Sequence, residues 1–411
     1  MLLDGEPLFL RSLKKLLSIA SIHEVYLDTE SPEIIELAAE VKCNILRRDP
    51  ALASNQTDGN KLFLNEVMHT DADIYVQLLA TSPFIQPATI EKAIRILQTN
   101  PEYDSVVAVR KEKQYVWKNN KPTYDIQHIP NSVDLPDTVI ESMGLYVMRR
   151  EAALRLKRRI GENPYLLEIG PLEAVDVNWP ADFELANLIA VGLREKERRT
   201  FQNLKNLLSS ALLSDVLDDL NIEGVLSSRF QINIPNAKIL GRAKTLQIDV
   251  CPDDDDYRKI YDSLHLYDHV VSNDVIVVAN RAPDFAFFGE LNANLAIRSG
   301  AVGAIIDGVT RDTKETTEMG FPVFSKGNYC KDTRKRGIVT SKNKTVVIDG
   351  ISIHKDDLIF GDKDGIIVIP RRVEQKVINQ ALQRLTTEKL ILIDIARGAA
   401  TNELINKYGM F

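Results

Sequence analysis

The sequence predicts a two-domain α/β protein, and three observations carry that prediction. Its 411 residues exceed what one hydrophobic core ordinarily supports. Residues 1–192 alternate short apolar runs with amphipathic stretches, the pattern of a three-layer α/β domain with a largely parallel sheet. A charged run, Leu193-Arg194-Glu195-Lys196-Glu197-Arg198-Arg199-Thr200, then separates this pattern from a second one. Those charges mark an exposed helix end leading into the next domain. The expected division is 1–192, a helical linker over 193–203, and 204–411.

In the first domain, strands are expected at Glu24 to Leu27, Asp73 to Leu79 and Ser105 to Val109, where apolar runs are bounded by polar turns. In the second, Asp253-Asp254-Asp255-Asp256 follows Pro252. Four consecutive carboxylates point in different directions, so a solvated helix start is favoured over a metal cage. Gly289-Glu290-Leu291 reads as a loop entering a helix over Leu291 to Ser299, whose first N–H groups are free to hold a carboxylate. Ala301 to Ile306 reads as a buried strand, and the turn after it carries Arg311 and Asp312 at its tip. No internal repeat or low-complexity tract stands out.

Composition narrows the function classes. Hydrophobic residues make up 44% and charged residues 27%, with a net charge of -7, so a core can form and no nucleic-acid partner is expected. The start, Met1-Leu2-Leu3-Asp4-Gly5-Glu6, lacks a basic leader and a long apolar run, and no later apolar stretch reaches bilayer length. A cytoplasmic protein without a membrane partner is the expectation. Cys43, Cys251 and Cys330 are odd in number, far apart and without CxxC spacing, which suits reduced packing residues.

The chemistry concentrates where Gly289-Glu290-Leu291 is followed by Ile306-Asp307-Gly308-Val309-Thr310-Arg311-Asp312-Thr313. Arg311 offers a fork for a substrate carboxylate or carbonyl, and Asp312 offers hard oxygens to Mg²⁺ or Mn²⁺. Cleaving a carbon–carbon bond next to a 2-oxo acid leaves an enolate, and a metal with an arginine neutralises charge where it forms. The competing reading is a solvated Arg-Asp turn pair.

The surroundings resemble the 4-hydroxy-4-methyl-2-oxoglutarate aldolases, whose other branch contains the RraA-like regulators of ribonuclease E. The blocks that carry the resemblance, in order, are Leu208 to Asp218, Gly241 to Thr245, Phe288-Gly289-Glu290-Leu291, Asp307 to Asp312, Gly320 to Phe324, and Asp357 to Gly365 with an apolar strand ending at Pro370. The resemblance implies an RraA-like α/β sandwich of the swivelling phosphohistidine-domain type. It implies that Asp312 ligates the divalent metal and Arg311 binds substrate and stabilises the enolate. Backbone N–H groups of Glu290, Leu291 and Asn292, entered through Gly289, would hold the pyruvyl carboxylate, with Glu290 in proton transfer. Glu388 of a neighbouring subunit would reach the metal through a water; its alternative is an ordinary exposed helix residue. The family's Arg-Asp pair separates its aldolases from regulators that lack it.

Residues 1–192 resemble the cytidylyltransferases that activate sialic and other nonulosonic acids. The matching blocks are Leu3 to Leu8, Asp28 to Ile34, Arg47 to Ala53, Leu79 to Phe84, Asn131 to Pro136 and Asp176 to Ala186. The resemblance implies a nucleotidyltransferase-like (Rossmann-like) fold, a metal-binding remnant at Asp176, and a sugar pocket around Arg48, Asn55, Gln56, Asn131 and Asp134. Departures lie on the nucleotide side. The chain begins after the family's phosphate-cradling loop, Asn178 stands where a second metal-binding aspartate is usual, and Leu79-Ala80 replace Gln-Pro. A degenerate domain is therefore expected, with CTP a cofactor only if it is active.

The expected function is a divalent-metal-dependent lyase that cleaves or decarboxylates a 2-oxo acid to give pyruvate. The alternatives are a CMP-sugar synthetase with an accessory C-terminal domain and a non-catalytic RraA-type binding protein. A nonulosonic acid is the expected second ligand, and a homo-oligomer, trimer or hexamer, the expected assembly.

Overall fold

A computed structural model describes residues 2–39, 41–54, 56–253 and 255–409. The chain forms two compact units, Met1–Val191 and Gly192–Phe411. The boundary falls inside one helix, Pro180–Leu207, so the charged run over 193–200 is mid-helix rather than a helix end. Glu195 pairs with Arg198 and Arg199 at i,i+3 and i,i+4, the spacing that supports a solvated helix. No helix among the described residues is long and apolar enough to cross a membrane.

In the first unit the main sheet has the order Pro164–Glu168, Ser105–Glu112, Thr138–Arg149, Ile74–Leu78. Only the Pro164–Glu168 pairing is parallel, because Thr138–Arg149 runs against both its neighbours. The sheet is thus mixed, not largely parallel as expected. The cause is the connection over 113–137, which holds only two-residue strands and a short 3₁₀ turn. A parallel return usually crosses over through a helix, and an antiparallel one needs none. The parallel pair Tyr26–Thr29 and Asn44–Arg47 forms a separate sheet, starting two residues later than expected. Pro87–Thr99 starts with proline at its first helical position and buries Ile90, Ala93, Ile94 and Leu97 against Val106, Ala108 and Val147. Each large apolar side chain buried there contributes about 1.5–3 kcal/mol.

In the second unit, four parallel strands lie adjacent in the order Val323–Asn328, Gly303–Thr310, Asp274–Asn280, Ile239–Val250. The Asp274–Asn280 strand is apolar along its middle because both faces are covered. Val275 and Val277 enter one core with Ile239, Ile305 and Phe324, whereas Ile276 and Val278 enter the other with Leu246, Ile306 and Phe288. Antiparallel Leu358–Gly361 and Ile366–Ile369 extend the edge. Helix Glu290–Ser299 links Asp274–Asn280 to Gly303–Thr310, so its N-terminus and the residues after Thr310 lie toward the carboxyl ends of parallel strands, where open α/β sheets bind ligands.

A buried cation fastens helix Glu374–Ala396 to this sheet. Arg242 donates through Nη2 to Glu374 at 2.9 Å and to Glu197 at 2.6 Å, and stacks on the Phe201 ring at 4.9 Å. Removing one partner of a buried ion pair leaves the other charge without compensation. Glu197 and Glu374 keep 38% and 20% exposure, so water compensates part of the loss, and Arg242→Ala should cost about 1–3 kcal/mol in urea unfolding followed by circular dichroism. A cost below about 1 kcal/mol would reduce the cluster to a surface pair.

Candidate functional site

Two chain segments are stitched together at this end of the sheet. Phe288 bridges Thr310, and the Arg311 N–H donates to the Phe288 carbonyl at 3.0 Å. Asp312 follows in the left-handed conformation, φ 52° and ψ 40°. Aspartate tolerates this region better than most residues, and such a backbone persists only where the surroundings enforce it. The turn points the carboxylate back at helix Glu290–Ser299, whose first amide, Glu290 N–H, donates to Asp312 Oδ2 at 3.1 Å. An anion there also meets the positive end of the helix dipole. Gly289 makes the approach possible: a Cβ at this residue would lie 2.4 Å from Asp312 Oδ2 and 3.1 Å from Arg311 Cγ.

Arg311 completes the group. Its Nη2 lies 2.8 Å from Asp332 Oδ2 and its Nε 3.7 Å from Asp312 Oδ2, with side chains 37%, 40% and 40% exposed for Arg311, Asp332 and Asp312. Ion pairs this open contribute about 0–1 kcal/mol, so Arg311 can exchange Asp332 for an incoming carboxylate or carbonyl. Asp332 is itself placed by its bridge to Ala286 and by Thr333 Oγ1 donating to the Phe285 carbonyl at 3.1 Å.

Gly289, Glu290, Arg311 and Asp312, read from the sequence as one site, are thus together. The Glu290 N–H is already used by Asp312, which leaves the Leu291 and Asn292 amides as first-turn donors for a ligand. The Asn292 side chain donates to the Phe287 carbonyl at 2.8 Å and locks the turn. Glu388 is exposed on helix Glu374–Ala396 and takes no part in the contacts around Asp312. Asp332 was not found from the sequence, because the Lys331-Asp332-Thr333-Arg334 loop has no periodicity or motif.

Among the described residues no group of three His, Cys, Asp or Glu side chains could hold a metal ion. Asp312 nevertheless fits Mg²⁺ or Mn²⁺ in one respect: its donor atoms are hard oxygens, and Mg²⁺ is commonly held by one or two carboxylates with waters completing its shell. In the acidic run, Asp255 pairs with Lys259 at 2.6 Å and Asp256 accepts from Arg258 N at 3.0 Å, the solvated start expected there; Asp254 lies outside the described residues.

In the first unit, both oxygens of Asp176 are engaged, Oδ1 by the Ser82 hydroxyl at 3.1 Å and Oδ2 by the Asn178 amide at 2.7 Å. Asn178 acts as a hydrogen-bond donor where a second carboxylate would be a metal ligand. Arg48 is tied to Asp28, donating to Oδ1 at 3.2 Å and to the carbonyl at 3.0 Å. Asn131 donates to Asp134 at 3.4 Å in an exposed loop, the Gln56 N–H donates to Ser54 Oγ at 3.1 Å, and Asn55 lies outside the described residues. Two further groups escaped the sequence. The Arg159 guanidinium stacks 4.1 Å from the Tyr146 ring, whose hydroxyl donates to Glu141. Burial, aided by the Asp28 charge, pushes the Glu66 carboxyl up to about 7, although Gln77 donates to it at 2.9 Å.

Comparison with known proteins assigns each unit. Residues 210–368 match the Aldolase/RraA family and residues 1–168 the Cytidylyltransferase family. Protein DlpA of Legionella pneumophila is 30% identical over 216 residues, 52% of this chain and 35% of DlpA. A Halalkalibacterium halodurans protein, named provisionally as a 4-hydroxy-4-methyl-2-oxoglutarate aldolase, is 28% identical over 178 residues, 43% of this chain and 80% of that protein. The N-acylneuraminate cytidylyltransferase of Escherichia coli is 21% identical over 224 residues, 51% of this chain and 52% of the enzyme. The chain therefore spans only about a third of DlpA and half of the cytidylyltransferase.

The Glu66 environment makes a pH prediction whose sign is fixed. A carboxyl raised from 4.5 to about 7 binds its proton more tightly in the folded state. Stability from this source is full at low pH and is lost as pH rises toward and through 7. Melting temperature measured from pH 5 to 8 should fall less steeply in Glu66→Gln than in the wild type. Parallel curves would remove Glu66 as the cause.

Proposed function

We propose that this chain, which joins an N-terminal cytidylyltransferase domain to a C-terminal RraA-like aldolase domain, is a divalent-metal-dependent lyase working at the C-terminal site. It cleaves or decarboxylates a 2-oxo acid of the type of 4-hydroxy-4-methyl-2-oxoglutarate or oxaloacetate and releases pyruvate. The observation that carries this reading is the Arg311–Asp312 pair held against an open helix N-terminus, with Gly289 keeping the approach clear.

Each residue has a task. The Leu291 and Asn292 N–H groups bind the pyruvyl carboxylate, helped by the helix dipole. Arg311 turns from Asp332 to the 2-oxo oxygen, where negative charge grows as the carbon–carbon bond breaks. Asp312 would hold Mg²⁺ or Mn²⁺, which when bound would supply further neutralisation of that charge. Glu290, exposed beside it, carries the proton, and Glu388 of a neighbouring subunit reaches the site through a water. Retro-aldol cleavage and decarboxylation leave the same enolate, so one set of groups serves both.

The N-terminal domain is proposed to bind a 2-oxo-3-deoxy sugar acid or to serve as an assembly platform rather than to transfer a nucleotide. Asn178 bound to Asp176 supports this, since an amide brings no charge to a nucleotide-bound metal. A CTP-dependent synthetase is the weaker reading for the same reason, and a non-catalytic binding protein is disfavoured by Arg311 and Asp312.

Arg311→Ala and Asp312→Ala should each lower pyruvate release from 4-hydroxy-4-methyl-2-oxoglutarate by about 10²-fold or more without changing the circular dichroism spectrum. Gly289→Ala should do the same by displacing the Asp312 carboxylate, and EDTA should act reversibly. A variant that keeps wild-type turnover takes its residue out of the site. Assembly gives a separate check. If Glu388 serves a neighbour, mixing inactive Asp312→Ala with inactive Glu388→Ala subunits restores activity. A fully active monomer in light scattering would exclude that role while leaving Arg311 and Asp312 in place.

A further inference from the structure

We infer that the second unit carries a further binding site, for a small organic monoanion with a carboxylate head and a short apolar tail, at the end of its sheet opposite the Arg311 turn. The inference does not rest on the lyase reading. The site is a cavity of about 210 Å³. Arg198, Phe201 and Lys205 line it from helix Pro180–Leu207, and Leu240, Asn273 and Val302 line it at the starts of strands Ile239–Val250, Asp274–Asn280 and Gly303–Thr310. Its helix side lies between the two family matches, which end at residue 168 and begin at residue 210, so this cavity belongs to the joined chain and not to either family segment alone.

Asn273 is the residue that points to a ligand. It is 6% exposed, and its Nδ2 has no hydrogen-bond partner among the described residues. Its backbone is left-handed, φ 78°, and is pinned from both sides: its N–H donates to the Gly300 carbonyl at 2.9 Å, and its carbonyl accepts from the Arg242 N–H at 3.1 Å. Asparagine tolerates this region, but glycine would occupy it without strain. A side chain that keeps a strained backbone and also leaves a buried donor unmatched is unfavourable on both counts, and an acceptor in the cavity removes the second.

The lining also sets the ligand's charge. No carboxylate lines the cavity among the described residues. Arg198 is neutralised by Glu195, to which its Nε and Nη2 donate at 2.6 Å and 2.8 Å, leaving Nη1 as a donor. Lys205 makes no ion pair among the described residues, so the cavity offers one uncompensated positive charge. A carboxylate uses that charge and accepts from the Asn273 amide as well, a charge-assisted bond. The second charge of a dianion would be desolvated without a partner.

The rest of the wall is apolar. Phe201 and Leu240 are buried, and Val302 packs against the core beside them. Such a wall suits a hydrocarbon tail of a few carbons, whose transfer from water adds to the pairing of the head.

The test titrates butyrate, its neutral isostere butyramide and the dianion succinate into the full chain, with binding followed by saturation-transfer NMR. Butyrate should bind at least about tenfold more tightly than butyramide, the factor that a hydrogen bond to a charged group supplies, and succinate more weakly than butyrate. Asn273→Gly removes the donor and relieves the backbone, so it should melt no lower than the wild type yet weaken butyrate at least about tenfold. Lys205→Gln should weaken butyrate to the level of butyramide. Gly289→Ala, at the other end of the sheet, should leave butyrate binding unchanged. Binding lost in Gly289→Ala but kept in Asn273→Gly would place the carboxylate at the Arg311 turn and overturn the inference. So would butyramide binding as tightly as butyrate, or no saturable butyrate signal with the folded wild type.

Discussion

The candidate site of the second unit depends on one contact, the Asp312 carboxylate accepting the first amide of helix Glu290–Ser299. It forms only because residue 289 has no side chain and residue 312 takes a left-handed backbone. A Cβ at 289 or a relaxed turn at 312 would separate the helix end from the Arg311 turn, and with them the proposed carboxylate and metal sites. The same contact positions Arg311, whose N–H is bound to the Phe288 carbonyl one residue before the glycine. Backbone strain at a site facing open solvent is a cost that packing elsewhere must offset.

The offset comes from the sheet. Four parallel strands with apolar side chains on both faces give a rigid edge from which the loops after Asn280 and Thr310 emerge. Helix Glu374–Ala396 is fastened to the sheet through Arg242 and Glu374. The loops of the candidate site can then be open and polar because the scaffold beneath them is neither. The first unit shows the reverse balance at Asp176, where both carboxylate oxygens are taken up by neutral donors of its own chain.

How much of this was legible in the sequence follows from the range of each interaction. The Gly289 to Asp312 site was legible because its parts fall in two short, ordered motifs, and the helix and strand between them have clear periodicity. The two-unit division was legible from length and a charged run. The reversal of Thr138–Arg149 was not, since an apolar strand reads alike in either direction and the direction is set by a connection without a helix. Nor was the continuity of Pro180–Leu207, because solvated charges mark a surface helix as readily as a boundary. Asp332 and the Thr310–Asn328 contact were invisible for another reason. Asp332 reaches Arg311, and Asn328 reaches Thr310, only through long-range pairing of loops and strands, and no local pattern records that.

The central claim is that Arg311 and Asp312 stabilise the enolate of pyruvate, and it can be tested without knowing the natural substrate. The measurement is the loss of the pyruvate methyl signal in D₂O, followed by proton NMR with protein and Mg²⁺. Exchange should run well above the buffer rate with the wild type and return to it with Asp312→Ala. Exchange at the buffer rate with folded, Mg²⁺-loaded wild-type protein would contradict the account.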